Sequence, residues 1–159
     1  MMAIMVLGLF AGCSSNYVYQ EGDFSLEIEV DKTEAKIGDT ITVTATFRNL
    51  TGKKLPVVFH DRYDRNRSKI EHIIHIALVG EDTDFEWAFT DEWFRPSRKT
   101  LQKDTILTTT KSYIIDSQVD HIACAIASFY VGSATSDKHF ITENTGVGIE
   151  SNQIKINVI

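Results

Sequence analysis

Residues 39–49, DTITVTATFRN, alternate without a slip: Ile41, Val43, Ala45 and Phe47 against Thr40, Thr42, Thr44, Thr46 and Arg48. A period of two puts the two sets on opposite sides of an extended chain, whereas an amphipathic helix needs apolar residues every three to four positions. The apolar set must reach a core and the hydroxyl set must reach water, so the segment is a strand lining one layer of a sheet protein. FSLEIEVDK repeats the pattern, with Leu26, Ile28 and Val30 against Ser25, Glu27 and Glu29. Between the two, TEAKIGD reads as a turn in which Gly38 is free to take a positive φ. NLTGKK is a second turn, and LPVVFH a short strand whose Pro56 marks a strand start or edge. KIEHIIHIALV fits helical spacing in part, but its four isoleucines and valine favour a strand. DTILTTTKSYII, HIACAIASFYVG and NQIKINVI complete the set. No long segment has a helical pattern, so the expectation is an all-β, antiparallel β-sandwich of about seven to nine strands.

The stretch LEIEVDKTEAKIGDTITVTATFRNLTGKKLPV resembles the first three strands of bacterial immunoglobulin-like domains, and HIACAIASFYVG with NQIKINVI resembles the last two. The resemblance implies an immunoglobulin-like sandwich over residues 24–159. A tyrosine often opens the penultimate strand of such domains; here His121 or Ile122 holds that place. Architecture of this kind hosts many unrelated functions and implies no activity by itself.

The first eleven residues are almost wholly apolar and uncharged, too short to cross a bilayer as a finished helix but of the length of a secretory signal. Ala11 and Gly12 supply small residues at its end, and Cys13 follows directly, then Ser14, Ser15 and Asn16. GLFAGCSSN resembles the lipobox of bacterial lipoproteins. That resemblance implies cleavage after residue 12, a diacylglyceryl group on the Cys13 sulfur, and residence at the extracytoplasmic face of the cell membrane. Residues 1–12 are then a signal peptide and residues 13–23 a lipidated tether. Ten residues, 14–23, would span on the order of 30 Å at about 3.5 Å each.

Removing 12 of 159 residues leaves 147, enough for one domain that needs neither disulfide nor metal. Cys124 is then the one remaining cysteine and, in the apolar run HIACAIASF, is expected to be a buried, inert thiol. The net charge of −6 argues against nucleic acid as a partner and against docking by charge onto anionic lipid.

Residues 60–100 hold most of the chemistry-bearing side chains. His60, His72 and His75 lie near Asp61, Asp64 and Glu71, but His72 and His75 would point to opposite faces of a strand and no HExxH spacing is present, so no metal site is expected. Glu81, Asp82, Asp84, Glu86, Asp91 and Glu92 lack the ordered spacing and turn glycine of a calcium loop and read as a solvated acidic loop, with the basic stretch Arg62, Arg65, Arg67 and Lys69 as a neighbour within reach. Phe85, Trp87 and Phe89 share one strand face and are expected in the core. Trp93, Phe94, Arg95 and Arg98, grouped around Pro96, read instead as an exposed loop of the residue types that anchor interfaces. No GxSxG phrase surrounds any serine, and no enzyme and no cofactor are expected.

The reading that results is a membrane-anchored, non-catalytic module whose immunoglobulin-like domain binds a protein or an envelope polysaccharide through Trp93, Phe94, Arg95 and Arg98. TFRNLTGKKLPVVF with the later TTTKSY is also weakly similar to the intracellular proteinase inhibitor family of Gram-positive bacteria, which implies inhibition of an envelope protease as the alternative.

Overall fold

The structure is a computed structural model that describes residues 17–63, 69–70, 73–81, 94–132 and 145–159. Strand β1 (Phe24–Val30) pairs antiparallel with β3 (Thr40–Asn49), from Phe24 opposite Asn49 to Val30 opposite Val43. Strand β8 (Ile106–Ile114) takes the other edge of β3. The alternation in the sequence is realised residue by residue: Leu26, Ile28, Ile41, Val43, Ala45 and Phe47 are buried. The hydroxyl face lies outside, where Thr42 meets Ser112 and Thr44 meets Thr110, each pair 3.3 Å apart.

The second sheet is built around β9 (His121–Val131). Along one side of β9 run β10 (Thr145–Glu150) and β11 (Ile154–Val158), end to end. On the other side the neighbour changes. Val57 and Val58 of β4 (Leu55–Tyr63) pair with Val131 and Tyr130, and then β6 (Ile74–Gly80) takes over from Ala127 down to His121. The far half of β4 leaves β9 and pairs with β5 (Lys69–Ile70), while β7 (Phe94–Leu101) follows β4 from Arg62 to Leu55. A two-residue β2 (Glu34–Ala35) lies parallel to the end of β11, inside the segment expected to be a turn. With β1–β3–β8 facing β11–β9–β4–β7, the chain is an immunoglobulin-like antiparallel β-sandwich. Nine of its eleven described strands have five or more residues.

Two differences from the sequence reading have clear causes. KIEHIIHIALV is divided into β5 and β6 because β4 and β5 diverge from β9 beyond Val58, and the chain resumes its place beside β9 at Ile73, whose carbonyl accepts from the Ser128 N–H. The whole of β10 escapes the pattern because Gly146 and Gly148 interrupt its alternation. Gly146 has a packing reason: a Cβ there would meet the Tyr130 ring at 3.4 Å.

Phe24, Phe47 and Phe129 join the sheets near the N-terminal end. Phe24 and Phe47 stack at 5.6 Å between centroids, and Phe129 meets both edge-on at 5.2 and 5.7 Å. Ala123, Ala125 and Ala127 of β9 and Ile41 and Val43 of β3 are buried in the same core. Side-chain bonds also tie the sheets at both flanks. Tyr113 on β8 donates to the Ile76 carbonyl at 2.6 Å. On the other flank Asn152 accepts from the Ile28 N–H at 2.9 Å and donates to its carbonyl at 3.3 Å, as a neighbouring strand would.

Residues 17–23 do not run as a free spacer. Tyr19 stacks on Phe24 at 6.3 Å, Tyr17 meets the same ring edge-on, and the Asp23 carboxylate accepts from the Tyr17 hydroxyl and the Gln20 N–H. The expected tether of residues 13–23 is therefore shortened: residue 17 already belongs to the folded body.

Candidate functional site

The four residues singled out as a loop interface do not form a loop in the described part. Phe94, Arg95 and Arg98 lie on β7, opposite Arg62, Asp61 and Val58 of β4. Trp93, Cys13 and the core candidates Phe85, Trp87 and Phe89 lie outside the described residues. The segment is a strand because β4 runs on for nine residues and offers β7 eight register positions. Pro96 is tolerated because β7, among the described residues, pairs on one side only. Strand alternation puts positions 94, 96, 98 and 100 on one face and 95, 97, 99 and 101 on the other. Of the described side chains on β7, Leu101 is fully buried and Ser97 half-buried, while Arg98, Lys99 and Thr100 are all exposed.

A cleft of about 330 Å³ opens beside this strand, lined by Pro56, Val57, Val58, Arg98, Lys99, Thr100 and Gly132. It sits where β4 parts from β9, beside the bond from the Gly132 N–H to the Pro56 carbonyl at 3.0 Å. Two cations, one hydroxyl and buried valines surround it. That lining suits an anionic or hydrogen-bonding group resting on an apolar floor.

The groups with latent chemistry lie elsewhere. Cys124 is 1% exposed and its Sγ faces the Ala77 carbonyl at 3.9 Å. Burial first, and then the charge of Glu150, push its thiol up to about 12, and the thiol is buried as the sequence leads one to expect. Ser117 Oγ and His121 Nε2 are 3.5 Å apart, at the limit of a hydrogen bond, and His121 Nδ1 is buried with no hydrogen-bond partner among the described residues. Among the described residues no three of His, Cys, Asp and Glu converge as metal ligands. The side chains of His60 and His72 lie outside those described; His75 is on β6 opposite Ile126, half-buried. Glu81, the first carboxylate of the acidic stretch, accepts from Lys155 at 3.0 and 3.1 Å, and the side chains of the basic stretch 62–69 lie outside those described.

Sequence reasoning missed the arrangement around Asn49. This residue is 1% exposed, yet its carboxamide ties two turns together: it donates to the carbonyls of Lys53 and Gln102, both at 2.9 Å, and accepts from the N–H and hydroxyl of Thr51. Lys53, Lys54 and Lys103 stand exposed on those turns. Only the lysine pair in NLTGKK hinted at it; that the turns meet is a matter of topology.

No family model matches the chain, and no curated protein matches it. Among solved structures it is similar to Spo0M, a sporulation control protein from Bacillus subtilis, at 8% identity over 86% of this chain and 49% of that one, with a TM-score of 0.42. It is similar to PapD-like domain 7 of human CEP192 at 8% identity over 100% of this chain and 97% of that one, TM-score 0.36. A beta-glucosidase from Listeria innocua aligns at 12% identity over 86% of this chain and 17% of that one, TM-score 0.30. The chain thus spans about half the length of Spo0M and a small part of the beta-glucosidase.

Proposed function

We propose that the chain is a lipoprotein held at the extracytoplasmic membrane face through Cys13, and that its sandwich is a non-catalytic module binding a protein or an envelope polymer along the β4–β7 edge. One observation supports the placement above all: an exposed edge strand bearing Arg98, Lys99 and Thr100 borders a cleft whose lining has no carboxylate, imidazole or thiol. Such a lining can hold a ligand by hydrogen bonds and charge. Edge strands also offer backbone N–H and C=O groups to an added strand, so an extended peptide fits this edge by the same geometry.

The test is cross-linking on intact cells, with a Trp93→Ala, Arg98→Ala variant beside the parent and a Cys13→Ser variant to check the anchor. A species captured by the parent and lost in the first variant supports the edge as the site. Equal capture by both moves the site off β7. A captured protease whose turnover the purified chain slows would favour the inhibitor reading instead. Cys13→Ser protein that stays with the membrane fraction as the parent does would count against the anchor.

A further inference from the structure

The net charge of −6 averages over two unlike ends. At the end where residues 17–23 join the sandwich stand Arg48, Lys53, Lys54, Arg98, Lys99 and Lys103. The turns bearing Lys53, Lys54 and Lys103 are drawn together by the Asn49 carboxamide. Register places the rest: Arg48 is opposite Ile106 at the start of β8, and Lys99 is opposite Val57, which itself pairs with Val131 at the end of β9. The carboxylates of this end are Glu21, Asp23 and Asp104; Asp23 is engaged by Tyr17 and Gln20, and Asp104 is 3.9 Å from Lys103. At the opposite end the balance is reversed. Lys32, Lys36, Lys111 and Lys155 are there outnumbered by Glu29, Asp31, Glu34, Asp39, Glu81, Asp116 and Asp120. Among the described residues cations therefore outnumber carboxylates at one end, and carboxylates outnumber cations at the other.

Exposed apolar side chains stand at both ends, with Ile37, Ile114, Val119 and Ile159 at the acidic one and three others among the cations of the basic one. Val18, Leu50 and Ile106 are 71%, 55% and 56% exposed, and the Leu50 N–H is bonded to the Asp23 carbonyl, so it lies directly under the incoming chain. Cations ringing a few protruding apolar residues are what a protein resting on a headgroup layer presents.

We propose that this end is a docking face for anionic phospholipid headgroups, which holds the sandwich upright on the membrane with its acidic end outward. The choice of a lipid surface as the occupant rests on the proposed anchor at Cys13; the charge separation does not. Because residues 17–23 are packed on the body, only four residue steps separate Cys13 from Tyr17, about 14 Å at full extension. That is less than half the reach a free tether through residue 23 would have. With screening over about 8 Å at physiological salt, so short a link brings the lysines of the basic end to the headgroups more readily than those of the acidic end. Basic residues near an anionic leaflet each raise binding by roughly fivefold. Repulsion of the acidic end adds to the orientation.

The test uses the full chain carrying Cys13→Ser, so that no acyl chain contributes, and vesicles of phosphatidylcholine with or without about 30% phosphatidylglycerol. Partition into the anionic vesicles is expected to exceed that into the neutral ones by at least about tenfold and to vanish near 0.5 M salt. Lys53→Glu, Lys54→Glu, Lys103→Glu together should abolish the preference, whereas Lys32→Glu, Lys36→Glu at the other end should leave it within about twofold. Urea midpoints of both variants matching the parent exclude unfolding as the cause. Equal partition into both vesicles, or equal loss in both variants, overturns the proposal. So does retention on a soluble polyanion such as heparin without vesicle binding, which would give this end to an acidic polymer. The mass of the cellular protein reads the anchor separately. An acylated chain indifferent to phosphatidylglycerol sinks the docking face alone, and an unacylated chain that prefers it sinks the anchor alone.

Discussion

Replacing Asn49 by alanine removes four hydrogen bonds in one step. The carboxamide donates to Lys53 and Gln102 at 2.9 Å each and accepts from the Thr51 N–H at 3.1 Å and the Thr51 hydroxyl at 2.7 Å. An asparagine side chain has two donor hydrogens and two acceptor sites, so its capacity here is full. At about 1 kcal/mol net per bond the upper limit is about 4 kcal/mol. The turns lie at the surface and water reaches part of what is freed, which brings the expected loss to about 2–4 kcal/mol. For a chain of this length that corresponds to a Tm lower by roughly 5–15 °C. Equilibrium urea unfolding followed by circular dichroism measures it; the midpoint should fall with m unchanged, since the surface exposed on unfolding is the same. Asn49→Asp sharpens the test. The aspartate keeps the shape but turns two donors into acceptors facing two carbonyls, so at pH 7 it should cost at least as much as alanine. That environment favours the protonated carboxyl, so the aspartate variant should recover relative to alanine as pH falls through 4, when one donor returns. An alanine variant within about 0.5 kcal/mol of the parent, or an aspartate variant clearly more stable than alanine at pH 7, would refute the reasoning. The alanine variant should also weaken vesicle binding, since the two lysine-bearing turns would no longer be held side by side.

Gly38 has φ of 90° and open space where a Cβ would stand, so Gly38→Ala should cost about 1 kcal/mol from conformation alone and Gly38→Asn less; a neutral alanine would show that the turn re-forms with negative φ. Cys124 should resist alkylation in the native state at pH 8 and react fully in urea, and fast native labelling would show that the outer face of β9 opens. Because its thiol is raised from 9.0 to about 12, the stabilisation is complete below pH 9 and is lost as pH climbs toward 12, a loss that Cys124→Ala should abolish. Asp120 is held below the ordinary carboxylate value first by the Val158 N–H and then by Lys155, so its contribution is present above pH 3.8 and fades as pH falls through its lower, folded value. Carboxyl NMR of Asp120 should titrate below 3.8 in the parent and move upward in Lys155→Ala; no movement would assign the shift to the backbone bond alone.

The buried face of β3 that ends at Phe47, the buried Cys124 and the turn at Gly38 are all legible in the sequence, because burial follows an alternation visible over a handful of neighbouring residues. The segment around Arg95 and Arg98 is not. Its residue types resemble those of an interface loop, and only the partner strand β4 reveals it as an edge strand. Strand β10 is invisible for the opposite reason, since Gly146 and Gly148 break its alternation and Gly146 lies against a ring that belongs to β9. Asn49 shows the limit most plainly. In the sequence it reads as the first residue of an N-x-T triplet in a turn; in the fold it is among the most buried polar side chains, at 1% exposure.

What the sequence by itself determined is therefore local: which segments are extended, which of their faces is apolar, and where the chain must turn. Those follow from the period of side chains along a strand and from backbone sterics, both set by near neighbours. Which strands meet depended on pairing across as many as 124 residues, as between Ile28 and Asn152, and no short-range pattern carries that. The same holds for charge. The sum of −6 is a property of composition, but whether it is spread evenly or divided between a basic and an acidic end depends on which turns the fold brings together. Coulomb interactions fall off over a few ångströms to a Debye length, so it is the arrangement in space, not the total, that a membrane or partner meets.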